Sequence, residues 1–268
     1  MGLFGYTIAG GGFILIGAWE SLTSSSSSST SSSTQQPDSD QSSPLNHHFP
    51  NNPPPKHSPT SNQQPHKLLS SPSLLTFTFT GLLSLLFIAN SVASIFNAWG
   101  SQDKVGSPLQ LQVLPVASMF LLYSVLGLVS QVHTFVAFPS GILNSVALFG
   151  FVEEFLVFYL QRKDQAGVEN RYYDLMLLPI SICVVSTVLE LKSDKRSNLY
   201  PRIARGVGLI MQGMWFVQMG ISFYSSWMVK GCDLIEKSRG NFTIKCKGHM
   251  EYHRGRGIAT LLFNCHLA

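Results

Sequence analysis

TFVAFPSGILNSVALFGFVEEFLVFYL, residues 134–160, decides the fold class. Its only charged side chains are the adjacent Glu153 and Glu154, and the remaining positions put Leu, Phe, Val and Ala on every side of a helix. At 1.5 Å per residue a helix of this length crosses the ~30 Å hydrocarbon layer of a bilayer, whereas a water-soluble core needs no apolar run so long. The pattern recurs along the chain. Blocks at 3–22, 74–98, 109–130, 174–191 and 203–228 are each long enough to span, and a shorter block at 256–268 reads as the start of a seventh span that stops early. Membrane β-strands would show about ten residues of alternating polarity. Continuous apolar blocks dictate helices, because lipid offers no partner to an unpaired peptide group.

The expected fold is therefore all-α: a polytopic integral membrane helix bundle with six full spans plus a truncated seventh. Residues 1–22 form the first span and 73–268 the rest of the bundle. Composition agrees, with 45% apolar against 12% charged residues and a mean hydropathy of +0.18. Residues 23–72 are Ser, Pro, Gln and Asn with four apolar side chains (Leu45, Phe49, Leu68, Leu69), too few to offset the ordering entropy. This low-complexity segment is expected to be a disordered loop. A net charge of +4, carried in the joints between blocks, suits anionic lipid headgroups and gives no nucleic-acid signature. The bilayer is the expected partner, together with other membrane proteins. Four scattered cysteines do not make a disulfide-stapled scaffold.

Orientation follows from basic residues in alternate connections. One side holds eleven and the other seven, which places the N-terminus and the 229–255 connection in the cytosol. Asn241-Phe242-Thr243 argues the opposite, since this glycosylation acceptor requires a lumenal connection, where the flanking Cys232 and Cys246 could pair.

Polar groups inside apolar blocks are the candidate sites. Glu153 and Glu154 are expected to divide, one facing the bundle and one reaching toward Arg162 or Lys163. They form either a proton or cation site or a hydrogen-bonded device that sets helix register. Glu190 ends its block beside Lys192 and reads as an interfacial pair with it. Gln212 and Gln218, on faces about 120° apart, are each expected to bond a different neighbouring helix. His266, in the last block, could ligate a metal or face the Glu pair. Gly206, Gly213 and Gly220 recur every seventh residue and mark a helix-packing seam. Cys232, Cys246, His249 and His253 are weak candidates for a tetrahedral zinc site, but a basic surface-hugging helix is the preferred reading of that stretch, and no cofactor is expected.

FGYTIAGGGFILIGAW, EEFLVFYLQRKDQAGVENRYYDLMLLPI, LIMQGMWFVQMGISFY and RGIATLLFNCHLA resemble, in this order, the blocks of the transmembrane protein 45 family, also called domain of unknown function 716, and its plant branch in particular. The resemblance covers about 1–22 and 74–268. It implies seven spans, residence in the endomembrane system or plasma membrane, and no agreed catalytic activity. The chain departs from the family at Tyr6, Thr7 and Gln161, where members carry histidines nearby, and the family's chains continue past the final His-Leu-Ala. No nucleophile elbow, phosphate loop, dinucleotide fingerprint or paired-His array is present in the sequence. The expected function is that of a multi-pass, non-enzymatic membrane protein acting through membrane or partner contacts. The alternatives are a proton- or ion-coupled small-solute transporter using Glu153 or Glu154, and a metal-dependent membrane enzyme using Glu154, His249, His253 and His266.

Overall fold

The computed structural model describes residues 3–29, 72–101, 106–132, 139–160, 167–193, 199–225, 231–238 and 241–268. Its helices are α1 (Leu3–Ser29), α2 (Pro72–Gly100), α3 (Gly106–Leu111), α4 (Val113–Val132), α5 (Ser140–Leu160), α6 (Glu169–Lys192), α7 (Leu199–Tyr224) and α8 (His249–Leu267). Strands β1 (Cys232–Ser238) and β2 (Asn241–Cys246) lie between α7 and α8. Six helices are long and apolar enough to cross a membrane: α1, α2, α3 with α4, α5, α6 and α7. The break between α3 and α4 has a local cause. Pro115 lacks the N–H that would bond the carbonyl of Leu111, and its ring crowds that carbonyl.

The six spans close a ring in which α1 packs on α7, α7 on α6, α6 on α5, α5 on α4, α4 on α2, and α2 back on α1. Burial is inverted relative to a water-soluble protein. Glu154, Glu190, Arg205 and Gln212 are buried, while Leu15, Leu82, Leu85, Leu86 and Leu189 are at least half exposed on the face a bilayer would cover. That distribution is what hydrocarbon imposes, because apolar side chains lose nothing by facing it and polar groups must find partners inside.

Small residues set the closest approach. The glycine seam of α7 faces α1, which answers with glycines at the same spacing. A Cβ on Gly10 would stand 2.5 Å from the carbonyl oxygen of Gly213, one on Gly17 would stand 2.5 Å from that of Gly206, and one on Gly220 would meet Tyr6 Cβ at 2.9 Å. No other residue type permits this backbone contact. On the other side of the ring, Ser124 Oγ of α4 donates to the Phe77 carbonyl of α2 at 2.5 Å, and the Phe77 ring rests on Gly127.

Three expectations are corrected. First, α1 continues to Ser29 instead of ending at 22, with the hydroxyls of Thr23, Ser24 and Ser25 bonded to carbonyls four residues earlier. The rest of the expected disordered loop, 30–71, lies outside the described residues. Second, the residues upstream of the expected basic helix form an antiparallel hairpin, Cys232 opposite Cys246 and Leu234 opposite Ile244, and the helix itself begins only at His249. A disulfide joins Cys232 to Cys246, so the candidate zinc quartet loses both thiolates. Third, α8 starts at His249 and not near 256; its polar first turns are supported by Arg256 over the Tyr252 ring, four residues away. Helix α8 is not among the six candidate spans. It lies against α6 and α7, with Phe263 edge-on to the buried Trp215 at 4.9 Å and Thr260 accepting from Arg171 at 3.0 Å.

The seam yields a direct expectation. Gly213→Leu should lower stability to unfolding in mixed micelles by about 1–3 kcal/mol or abolish folding, because the listing of α1 away from α7 also opens the contact at Gly206. Gly11→Ala, with open space beside it, should be neutral, and equal stability of the two variants would remove the seam from the account.

Candidate functional site

The ring of spans lines a cavity of about 200 Å³. One end is walled by Glu20 and Arg205, and the other by Tyr6, Tyr173 and the hairpin residues Leu234, Phe242 and Ile244. Between them the lining is aromatic and aliphatic, with Phe13, Phe120, Phe151 and Phe216 on four different helices.

Glu154 of α5 is on this wall, and Gln212 of α7 stands behind it, both buried. Gln212 is near the midpoint of α7, about 18–20 Å from either end. Its Nε2 donates to Glu154 Oε1. Glu154 Oε2 and Gln212 Oε1 are buried with no hydrogen-bond partner among the described residues. The pair thus holds one carboxyl oxygen and leaves the other buried without a partner among the described residues, at a depth where water is scarce. Groups of this kind are costly to leave unmade, by about 1–3 kcal/mol for each.

The end near Glu20 is built on charge. Arg205 of α7 lies between Glu20 of α1 and Glu190 of α6; its Nε donates to Glu20 Oε1 at 2.8 Å and its Nη1 to Glu190 Oε2. Arg202 Nε donates to the other oxygen of Glu190 at 2.9 Å. Two guanidinium groups balance two carboxylates, and the arrangement ties three spans together at one level. A second pocket, lined by Glu20, Glu190, Arg202, Arg205 and Asn144 among others, opens beside it.

The expected partner of Glu190 is corrected here: it pairs with α7 and not with Lys192. Residues two apart on a helix point to nearly opposite faces, so sequence adjacency to Lys192 gave no contact. Gln218 is corrected too, since it donates to Ser222 Oγ at 3.1 Å within its own helix and not to a neighbour. Glu153 is half-buried with Oε2 unpartnered among the described residues, and its expected partners Arg162 and Lys163 lie outside them. His266 does not face the Glu pair. It is on α8, outside the ring, with its ring 6.1 Å from Trp215. His249 and His253 approach one another at 3.1 Å on an exposed face of α8, and among the described residues no group of three or more His, Cys, Asp or Glu could hold a metal ion.

Sequence reading passed over Glu20 and Arg205. Both carried a usable signal, since Glu20 lies near the end of the first apolar block and Arg205 is already inside the sixth.

Residues 140–268 match a family of unknown function, DUF716. The matched DUF716 region runs from α5 to α8, just under half the chain, and contains Glu154, Glu190, Arg205, Gln212 and the whole hairpin. Helix α1, which supplies Glu20 and the glycines opposite α7, falls before it. No curated protein matches the chain.

The two arginines should behave differently. Arg205→Ala leaves two buried carboxylates without compensation and should cost on the order of 3–5 kcal/mol of stability. Arg202, whose side chain is 54% exposed, should cost no more than about 1 kcal/mol when changed to Ala. Unfolding of the purified variants in detergent measures both, and similar losses would contradict the division between a buried and a peripheral pair.

Proposed function

We propose that this is a non-enzymatic integral membrane protein that binds a small molecule in the cavity of its helix ring, in the manner of a receptor or carrier. The observation that carries the reading is Glu154 Oε2, a buried acceptor without a partner among the described residues, belonging to a side chain on the wall of an otherwise mainly apolar cavity. A purely structural carboxyl would be expected to use both oxygens within the bundle. The volume sets the scale of the ligand. A dry protein cavity of about 150 Å³ accepts benzene, so about 200 Å³ suits one ring with a short substituent. The chemistry sets its polarity, a hydroxyl or amine donor directed at Glu154 and a body that contacts Phe120, Phe151 and Phe216.

We read the whole chain as a member of the transmembrane protein 45 (DUF716) family, in its plant branch, resident in the endomembrane system or plasma membrane. Support for extending membership beyond 140–268 comes from FGYTIAGGGFILIGAW, which in this fold supplies Gly10 and Gly17 to the α7 seam. Transport coupled to a proton or ion at Glu154 remains the second reading, favoured by the same carboxyl; it further requires a path past Arg205 at one end or the hairpin at the other. Lipids and other membrane proteins are the proposed macromolecular surroundings.

Glu154→Gln tests the ligand reading without removing the bond to Gln212, since the new amide oxygen can accept from Gln212 Nε2 while its NH₂ replaces the open acceptor by a donor. Purified protein is screened by thermal shift against single-ring amines and alcohols and their unsubstituted hydrocarbons. The expected result is stabilisation of wild type by donor-bearing rings over their hydrocarbons, lost in Glu154→Gln with the unliganded melting point retained. If donor-bearing and bare rings act alike on wild type, the assignment of Glu154 fails.

A further inference from the structure

The hairpin carries two features that require the same compartment. One is the disulfide between Cys232 and Cys246, which closes its open end. The other is the Asn241-Phe242-Thr243 acceptor, which forms the first half of β2, with Asn241 paired in register opposite Ser238. Cytosolic glutathione and thioredoxin keep such thiols reduced, whereas the lumen of the secretory pathway and the cell exterior sustain the bond. Asn-X-Thr is modified only on that side of the membrane.

We propose that the hairpin lies on the lumenal or extracellular face and that Asn241 carries an N-linked glycan. The N-terminus of α1 then lies on that face as well, because Tyr6 packs edge-on against Phe223 at 5.8 Å and against Tyr224 at 6.4 Å, and Tyr224 in turn packs on Phe242 of the hairpin. This reverses the orientation that the basic-residue count favours. The count is a bias of eleven against seven, and a folded, covalently closed hairpin outweighs it.

Both reactions balance with ordinary secretory-pathway reagents. The two thiols give up two protons and two electrons to a disulfide of the oxidoreductase class, which leaves as a dithiol. The Asn241 amide nitrogen forms a bond to the anomeric carbon of a lipid-linked oligosaccharide as the bond to pyrophosphate oxygen breaks; the lipid pyrophosphate departs and the amide loses one proton. Thr243 is buried once the hairpin folds, so the acceptor is open to a transferase only before folding. Glycan addition precedes closure of the hairpin.

The test expresses the full chain in mammalian or plant microsomes. The expected outcome is a single-glycan shift of the wild-type band that peptide N-glycosidase removes, that Asn241→Gln abolishes and that Thr243→Ser, which keeps an acceptor, retains. After mild reduction, a membrane-impermeant maleimide should label Cys232 and Cys246 from the lumenal side of opened microsomes and not from the cytosolic side of sealed ones. A wild-type band that the glycosidase leaves unchanged overturns the proposal, as does labelling of these cysteines in sealed microsomes.

Discussion

Hydrocarbon offers no hydrogen-bond partner to a peptide group or a charge, and each polar decision in this molecule answers that constraint. Backbone groups are satisfied by winding into helices. Hydroxyls such as Ser84 and Thr187 return to carbonyls one turn back. The ionised groups that cannot be satisfied within one helix collect between helices, which is why Arg205 draws carboxylates from both α1 and α6. The apolar surface exerts no comparable pull, so the specificity of the bundle resides in glycine contacts and in these polar ties. The free oxygens of Glu153 and Glu154 are exceptions to that rule among the described residues.

The cavity takes its character from what closes its two ends. At one end a balanced set of charges bridges α1, α6 and α7. At the other, Glu169 at the start of α6 accepts from the Ile244 N–H at 2.9 Å, and the Val168 N–H donates to the Ile244 carbonyl, so that β2 is pinned to the first turn of α6. One end is thus held by side-chain charge and the other by main-chain pairing reinforced with a disulfide. A molecule of mainly apolar character inside would meet a different kind of barrier in each direction.

Much of the architecture was legible in the sequence, because membrane thickness converts directly into block length. The spans at 74–98 and 174–191 each fall within a helix of the structure, and the block at 203–228 lies on α7 as far as Tyr224. The heptad glycines of α7 announced a seam, though not that α1 would fill it, since Gly10 and Gly17 stand in a glycine-rich stretch where spacing carries little information. Glu154 and Gln212 were each visible as polar groups in apolar blocks, but their meeting is tertiary and 58 residues apart. The hairpin escaped for a different reason. Its strands are short and charged, with Lys, Asp and Glu among the apolar residues, so alternation is faint. The cysteines that staple it were read as a pair only on the condition of a lumenal connection, and otherwise for zinc.

The pairing of α1 with α7 also orders events during biogenesis. Glu20 and Arg205 are separated by 185 residues, so at ordinary rates of translation Glu20 waits roughly 10 to 40 s for its counter-charge to leave the ribosome. Throughout that interval the first helix presents glycines with no facing backbone and a carboxyl with no cation. A nascent segment in that condition needs a custodian within the insertion machinery, and the arrival of the sixth span releases it.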